Sequence, residues 1–305
     1  RLPGVWKSRR GGIANDVVVR GFREDDLTVL VDGARVAGAC PNRMDPPVFH
    51  LDFAEVDRVE VPTGGGRLAA QGSMGGLVSV VTKKPAPGWH ADVPVVVGSN
   101  ELFNPSATVS YGGERFGVLG GVSTRSSSAY EDGSGNKFTE LANYRPENQG
   151  DRAFSIGTAW GRVLWAPTAG HQVDVAYTRQ DSGAVLYPYL LMDALWDDTD
   201  RLNLRYEATG LGERKASVRA QGYLTQVDHW MTDERRTSSL AKPRAYSMGT
   251  RAETRTAGGK VEAVVGSLTF GAEGHERYWD ATNEMAGSAY APQAMIPGVT
   301  VRTAG

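Results

Sequence analysis

The sequence predicts an all-β membrane barrel, antiparallel and partial, with about nine strands of a larger barrel, preceded by a small mixed α+β domain. Three observations predict it: period-two alternation, segment length and the alternation of loop lengths. In "HQVDVAYT" at 171–178, Val173, Val175 and Tyr177 share one face while Gln172, Asp174 and Thr178 share the other. In "RLNLRYEA" at 201–208, Leu202, Leu204, Tyr206 and Ala208 oppose Arg201, Asn203, Arg205 and Glu207. Side chains of a strand alternate between its faces, so each segment carries one apolar and one polar face. A soluble sandwich would alternate too, but segments of about ten or more residues suit a tilted crossing of a bilayer.

The strands expected are 90–98, 104–111, 115–125, 152–166, 171–180, 200–209, 213–229, 257–265 and 268–279. Short turns lie at 112–114, 167–170, 210–212 and 266–267, and long polar loops near 126–151, 181–199 and 230–256. Short turns at one end and long loops at the other are the habit of outer-membrane barrels. An odd number of strands ending in an open edge would strand backbone polar groups in lipid, which predicts a chain truncated at both ends. "RLPGVWKSRR" carries neither an initiator Met nor a signal peptide, in keeping with that expectation.

Composition narrows the function. A net charge of −2 gives no electrostatic reason for a nucleic-acid partner. No apolar run reaches the roughly 18 residues of a membrane helix, which excludes a helical membrane protein and leaves a barrel open. The single Cys cannot form an internal disulfide. "TGGGRLAAQGSMGG" lacks the Lys and Ser/Thr of a phosphate loop, "EDGSGNKFTE" lacks the Gly and the terminal Glu at the positions a calcium loop needs, and no nucleophile motif appears. No enzyme and no organic cofactor are expected.

Before residue 88 the pattern is different: strand-like runs alternate with Gly- and Pro-rich turns. "LPGV", "VVVRGF" at 17–22, "LTVLVDGARV" at 27–36, "EVDRVEVPTGG" at 55–65 and "GSMGGLVSVVTKKP" at 72–85 stand in an order that resembles the plug of TonB-dependent outer-membrane receptors. The resemblance implies a plug over 1–88, the N-terminal part of a transmembrane barrel over 89–305, and a place in the outer membrane of a Gram-negative bacterium. It also implies lipid and the TonB energy-coupling protein as partners, with the TonB-contacting segment preceding Arg1. "VPTGGGRLAAQGSMGG" departs from the more usual "V-x-R-G-P-x-x-x-x-Y-G".

"CPNRMDPP" at 40–47 and "HWM" at 229–231 further resemble the CxxxM and HxM pair of TonB-dependent copper receptors of the OprC/NosA type. That resemblance makes Cys40, Met44, His229 and Met231 the metal ligands, and copper, free or complexed, the transported ligand. The residue chemistry agrees: thiolate, thioethers and imidazole are soft donors that favour copper, Cu(I) above all. Spacing four would set Cys40 and Met44 on one face of a helical turn, with Pro41 at its start. Spacing two sets His229 and Met231 on one strand face, and their parity with Arg219, Gln221 and Thr225 points them into the lumen.

Blander readings stand beside this one. A lone Cys is usually a small buried hydrophobe, a Met four residues on can be packing filler, and His229 beside Trp230 could join an aromatic girdle. His50 and Met74 are alternative plug donors, and Met285 and Met295 sit in a late Met-bearing loop. The rival function is a siderophore or haem receptor of the same architecture.

Overall fold

The computed structural model describes residues 3–9, 11–62, 74–141, 143–237, 246–287 and 290–304. Its N-terminal domain holds two small sheets. The first is antiparallel and consists of β1 (Val5–Arg9), β2 (Asn15–Val19) and β3 (Phe22–Arg23). The second uses β4 (Leu27–Val31), β5 (Ala34–Arg35), β6 (Val56–Glu60) and β7 (Gly76–Thr82) in the spatial order β5-β4-β7-β6, with β4 and β7 parallel. "LTVLV" in β4 is buried at every position, which is why it reads as a near-continuous apolar run broken only by Thr28. Helical structure among the described residues of this domain is limited to 3₁₀ turns at 24–26, Pro47–His50 and Phe53–Glu55. Most of the Gly-rich stretch that departs from the plug pattern lies outside the described residues.

The rest of the chain is one curtain of antiparallel strands. After β8 (Gly88–Asp92) come β9 (Val95–Gly98), β10 (Leu102–Gly112), β11 (Phe116–Ser128), β12 (Arg152–Trp165), β13 (His171–Val185) and β14 (Asp193–Leu211). β15 (Ala216–Thr232), β16 (Tyr246–Val265), β17 (Leu268–Gly287) and β18 (Tyr290–Ala304) complete it. β9 to β18 form a ten-stranded sheet in sequence order. The tenth strand is β18, which the sequence pattern did not predict. β16 and β17, at 20 residues each, extend well beyond their expected bounds. Met285 and Met295 therefore lie in β17 and β18, not in a loop. Strand extension also shrinks the expected loops at 181–199 and 230–256 to the connections 186–192 and 233–245.

The two faces of the curtain follow the alternation. Val109, Val122, Leu202, Leu204, Val261 and Phe270 are exposed on the outside, as lipid requires, while Thr178, Gln180, Arg201, Asn203 and Thr225 are buried on the inside. Those inward groups need partners, and the N-terminal domain supplies them. Arg162 on β12 bonds Asp174 (2.7 Å) and Asp32 (3.0 Å) and reaches the Thr82 and Lys83 carbonyls. Arg201 on β14 pairs with Glu55 (2.5 Å), whose other oxygen accepts from Thr178. Arg125 on β11 pairs with Asp52 at 3.0 Å. Barrel arginines thus grip plug carboxylates where water is scarce, so removing one partner is costly.

Candidate metal centre

Residues 36–46 leave β5 without regular structure and carry Cys40 and Met44 to the long-loop end of the barrel. The helical turn expected from their spacing does not form. Instead the Arg43 N–H donates to the Cys40 carbonyl (2.9 Å) and Arg43 takes φ 56°, which closes a tight turn. Asp45 explains the choice. Its carboxylate accepts from the N–H groups of Ala39 (2.5 Å) and Cys40 (3.0 Å), a side-chain tie that competes with helix. Pro46 and Pro47 then open the 3₁₀ turn that ends at His50, which is fully buried.

On the barrel side, β15 pairs with β16 without a register shift from Ser217 to Thr232. Parity therefore holds to the strand end, and Val227, His229 and Met231 all point inward with 0% exposure. Trp230 faces the other way and stacks on Trp196, centroids 5.9 Å apart. His229, buried on the inner face, is no part of an outward aromatic girdle.

The two motifs meet. Cys40 Sγ lies 3.6 Å from Met231 Sδ, and the Cys40 sulfur also interacts with the His229 ring. Cys40, Met44 and Met231 belong to one buried cluster with Phe49, Leu186 and Tyr187. Two sulfurs bound to one ion at about 2.3 Å and a tetrahedral angle stand about 3.8 Å apart. The Cys40–Met231 pair needs almost no backbone movement to share an ion. His229 Nε2 is buried without a conventional hydrogen-bond partner. Met74, by contrast, is 92% exposed and is no part of the cluster.

The 186–192 connection roofs this centre. The Tyr187 hydroxyl donates to the Met44 carbonyl (2.9 Å) and the Tyr189 hydroxyl to Met44 Sδ (3.4 Å). Burial, with Asp197 and Cys40 nearby, pushes the Tyr187 phenol well above its ordinary pKa, so it remains a donor. Arg236 braces the roof through Asp193 (2.6 Å), the Tyr187 carbonyl (2.9 Å) and a face-on contact with Tyr144.

Beside the sulfurs lies a polar group that the sequence reading missed. Ligand atoms of Asp45, Asp197 and His229 all fall within 4.8 Å of one another, every one buried. His229 Nδ1 sits 2.8 Å from Asp197 Oδ2. His50 stands between the carboxylates, Nε2 3.6 Å from Asp45 and Nδ1 3.5 Å from Asp197, with Thr199 Oγ1 at 2.8 Å from Nδ1. Burial opposes ionisation of Asp45, but His50 and the nearby His229 outweigh it and hold the carboxyl below its ordinary value. The available signal was Asp197, registered directly opposite His229 across β14 and β15. Reading 181–199 as a loop hid that pairing.

Residues 1–77 match the family model for the TonB-dependent receptor plug domain. The vitamin B12 transporter BtuB of Vibrio vulnificus (strain CMCP6) is 30% identical over 103 residues, 33% of this chain and 16% of that protein. The ferric aerobactin receptor of Klebsiella pneumoniae is 36% identical over 86 residues, covering 28% and 11%. Among solved structures, the copper transporter OprC superposes with a TM-score of 0.82 at 21% identity, covering 98% of this chain and 47% of that one. The ferripyoverdine receptor of Pseudomonas aeruginosa gives 0.67 at 14% identity, covering 98% and 44%. The chain spans about a sixth or less of the curated relatives' length and under half of these structures. A sequence that matches the TonB-dependent receptor plug domain over residues 1–77 is thus seated against an antiparallel barrel sheet, the architecture of the outer-membrane receptors that the chain resembles.

Proposed function

We propose that this receptor takes up copper across the outer membrane, binding Cu(I) with Cys40, Met44, His229 and Met231 between the plug turn and the long-loop, external end of the β15 wall. The observation that carries the reading is the 3.6 Å approach of Cys40 and Met231, 191 residues apart in sequence, beside a buried His229. Nothing local forces that meeting. Three sulfurs and one imidazole nitrogen form a set that soft monovalent copper satisfies and hard cations do not. Binding replaces the Cys40 thiol proton, so the proton leaves as the ion enters. Two donors come from the plug and two from the barrel, so movement of the plug turn, driven through TonB, breaks the set and frees the ion inward.

Copper content of the full-length receptor purified with Cys40 intact and as Cys40→Ser tests the reading. About one copper per wild-type chain and none in the variant is expected. Siderophore and haem receptors share the architecture, and relatives named for vitamin B12 and ferric aerobactin match about a third of the chain. Tight binding of a ferric siderophore, with no copper retained by wild type, would transfer the assignment to that class.

A further inference from the structure

Asp197 and His50 are not in the soft donor set, yet both are fully buried against it. A carboxylate on one ring nitrogen of a ligating histidine selects the tautomer, fixes the ring plane and raises the basicity of the other nitrogen. The contacts of His229 have that form. Nδ1 is 2.8 Å from Asp197 Oδ2, while Nε2, the other nitrogen, has no conventional hydrogen-bond partner in an interior where such atoms are rarely left unpaired.

Asp197 is itself held. It sits on β14 directly opposite His229, and its second oxygen, also without a conventional hydrogen bond, faces His50 Nδ1 at 3.5 Å. His50 comes from the plug, and its Nε2 is turned to Asp45, 3.2 Å from the carbonyl and 3.6 Å from the carboxylate. Asp45 in turn closes the turn that presents Cys40. A chain of buried polar groups therefore runs from the thiol turn through Asp45, His50 and Asp197 to the barrel imidazole.

We propose that Asp197 is the positioning residue of the copper centre, holding His229 by Nδ1 so that Nε2 is the metal-binding nitrogen. His50 braces this carboxylate against the plug and sets the barrel donor relative to the thiol turn. The proposal rests on the copper reading above. It gives Asp197 a role that simple packing does not, because loss of Asp197 acts on one donor of four.

The test uses the full-length receptor in detergent, with Cu(I) under reducing conditions as probe. Affinity is read by competition with a chromogenic Cu(I) chelator and the donor set by X-ray absorption. Asp197→Asn should bind about 10- to 100-fold more weakly. Its spectrum should lose the nitrogen scatterer and keep the sulfurs. In a His229→Ala background the same substitution should change affinity less than about twofold, because the effect runs through His229. His50→Ala should weaken binding with all four donors retained. Wild-type affinity and an unchanged nitrogen scatterer in Asp197→Asn overturn the proposal, and wild-type affinity in His50→Ala removes the brace. Should Asp197→Asn fail to fold, a crystal of the wild-type protein soaked with Ag(I) decides. Metal on Nε2 with Nδ1 still on Asp197 supports the assignment, and metal on Nδ1 overturns it. If wild type binds no Cu(I) at all, the copper reading itself falls; if it binds and the variants behave as wild type, this inference alone falls.

Discussion

One methyl group at Gly38 should disable the centre without touching a ligand. A Cβ built there stands 2.1 Å from the Asp45 carbonyl oxygen, 2.7 Å from Asp45 Oδ1 and 2.9 Å from its Cγ. Real Cβ contacts essentially never fall under 3.0 Å, so the carbonyl must retreat by at least 0.9 Å, which is 3.0 minus 2.1. Asp45 cannot move that far and still accept from Ala39 N–H at 2.5 Å and Cys40 N–H at 3.0 Å. A hydrogen bond to a charged group contributes about 1.5–3 kcal/mol. Loss of one of the two should therefore weaken Cu(I) binding by about 10- to 100-fold, at 1.4 kcal/mol per decade.

The assay is Cu(I) competition on the full-length receptor at constant pH, with thermal unfolding run alongside. Gly222→Ala in β15 is the control, because a Cβ there meets nothing within 4 Å. It should leave binding unchanged and shift stability by no more than about 0.5 kcal/mol. A folded Gly38→Ala receptor that binds Cu(I) within threefold of wild type refutes the argument that Asp45 organises the thiol turn. Equal losses in both variants refute it as well, since they would place the effect outside the turn.

Cys40→Ser replaces the soft thiolate with a hard oxygen and should cut Cu(I) affinity by more than about 100-fold, beyond the usual range for outer-shell changes; competition titration reads it. Met231→Leu keeps the volume of a fully buried side chain, so unfolding should shift by less than about 1.5 kcal/mol while copper retention drops. Unchanged copper content would remove Met231 from the donors. Glu55→Ala leaves the Arg201 guanidinium, 9% exposed, without its carboxylate, and should weaken plug seating by about 3–5 kcal/mol. Faster proteolysis of residues 1–88 in the intact receptor is the expected sign, and a wild-type rate would count against a plug held by these pairs.

Period-two alternation made the barrel legible because lipid and lumen demand opposite chemistry on neighbouring residues. It failed at strand ends. "TDRLNLRYEA" alternates cleanly and β14 was expected from residue 200, yet the strand begins at Asp193, where "DALWDD" mixes apolar and acidic residues. Above the membrane, both faces of a strand are covered by protein or water, so the pattern that marks a lipid face disappears. "YAPQAMIPGVTVRTA" reads as a turn-rich segment with its two prolines, and forms β18 at the edge of the sheet, where proline is tolerated. The same blind spot concealed Asp197. The proposed donors Cys40, Met44, His229 and Met231 came from the resemblance of "CPNRM" and "HWM" to copper-receptor motifs, with strand parity in support. Asp45 and Asp197 were not legible, because an aspartate declares its role only through its partners.

Dividing the proposed donors between plug and barrel has a mechanical consequence. The plug is fastened to the wall by buried pairs such as Arg162–Asp32 and Arg201–Glu55, each costly to break. Cargo release through wholesale extraction of the plug would have to overcome all of them together. The centre demands much less. A metal–sulfur bond of about 2.3 Å is lost when its partners part by roughly 1 Å, so a shift confined to the 40–47 turn empties the site. That turn is fastened differently from the sheets below it. Its ties include the Asp45 carboxylate, the Tyr187 hydroxyl on the Met44 carbonyl, the Tyr189 hydroxyl on Met44 Sδ, and His50 between Asp45 and Asp197. Restraining the turn alone should therefore trap copper in a receptor whose plug still docks normally. Cysteines introduced at Arg43 and at the exposed Leu191 of the 186–192 connection, joined by a bifunctional thiol reagent longer than a disulfide, should leave equilibrium binding within threefold while abolishing uptake into cells. Undiminished uptake by the cross-linked receptor would show that the ion leaves by a route that does not move this turn.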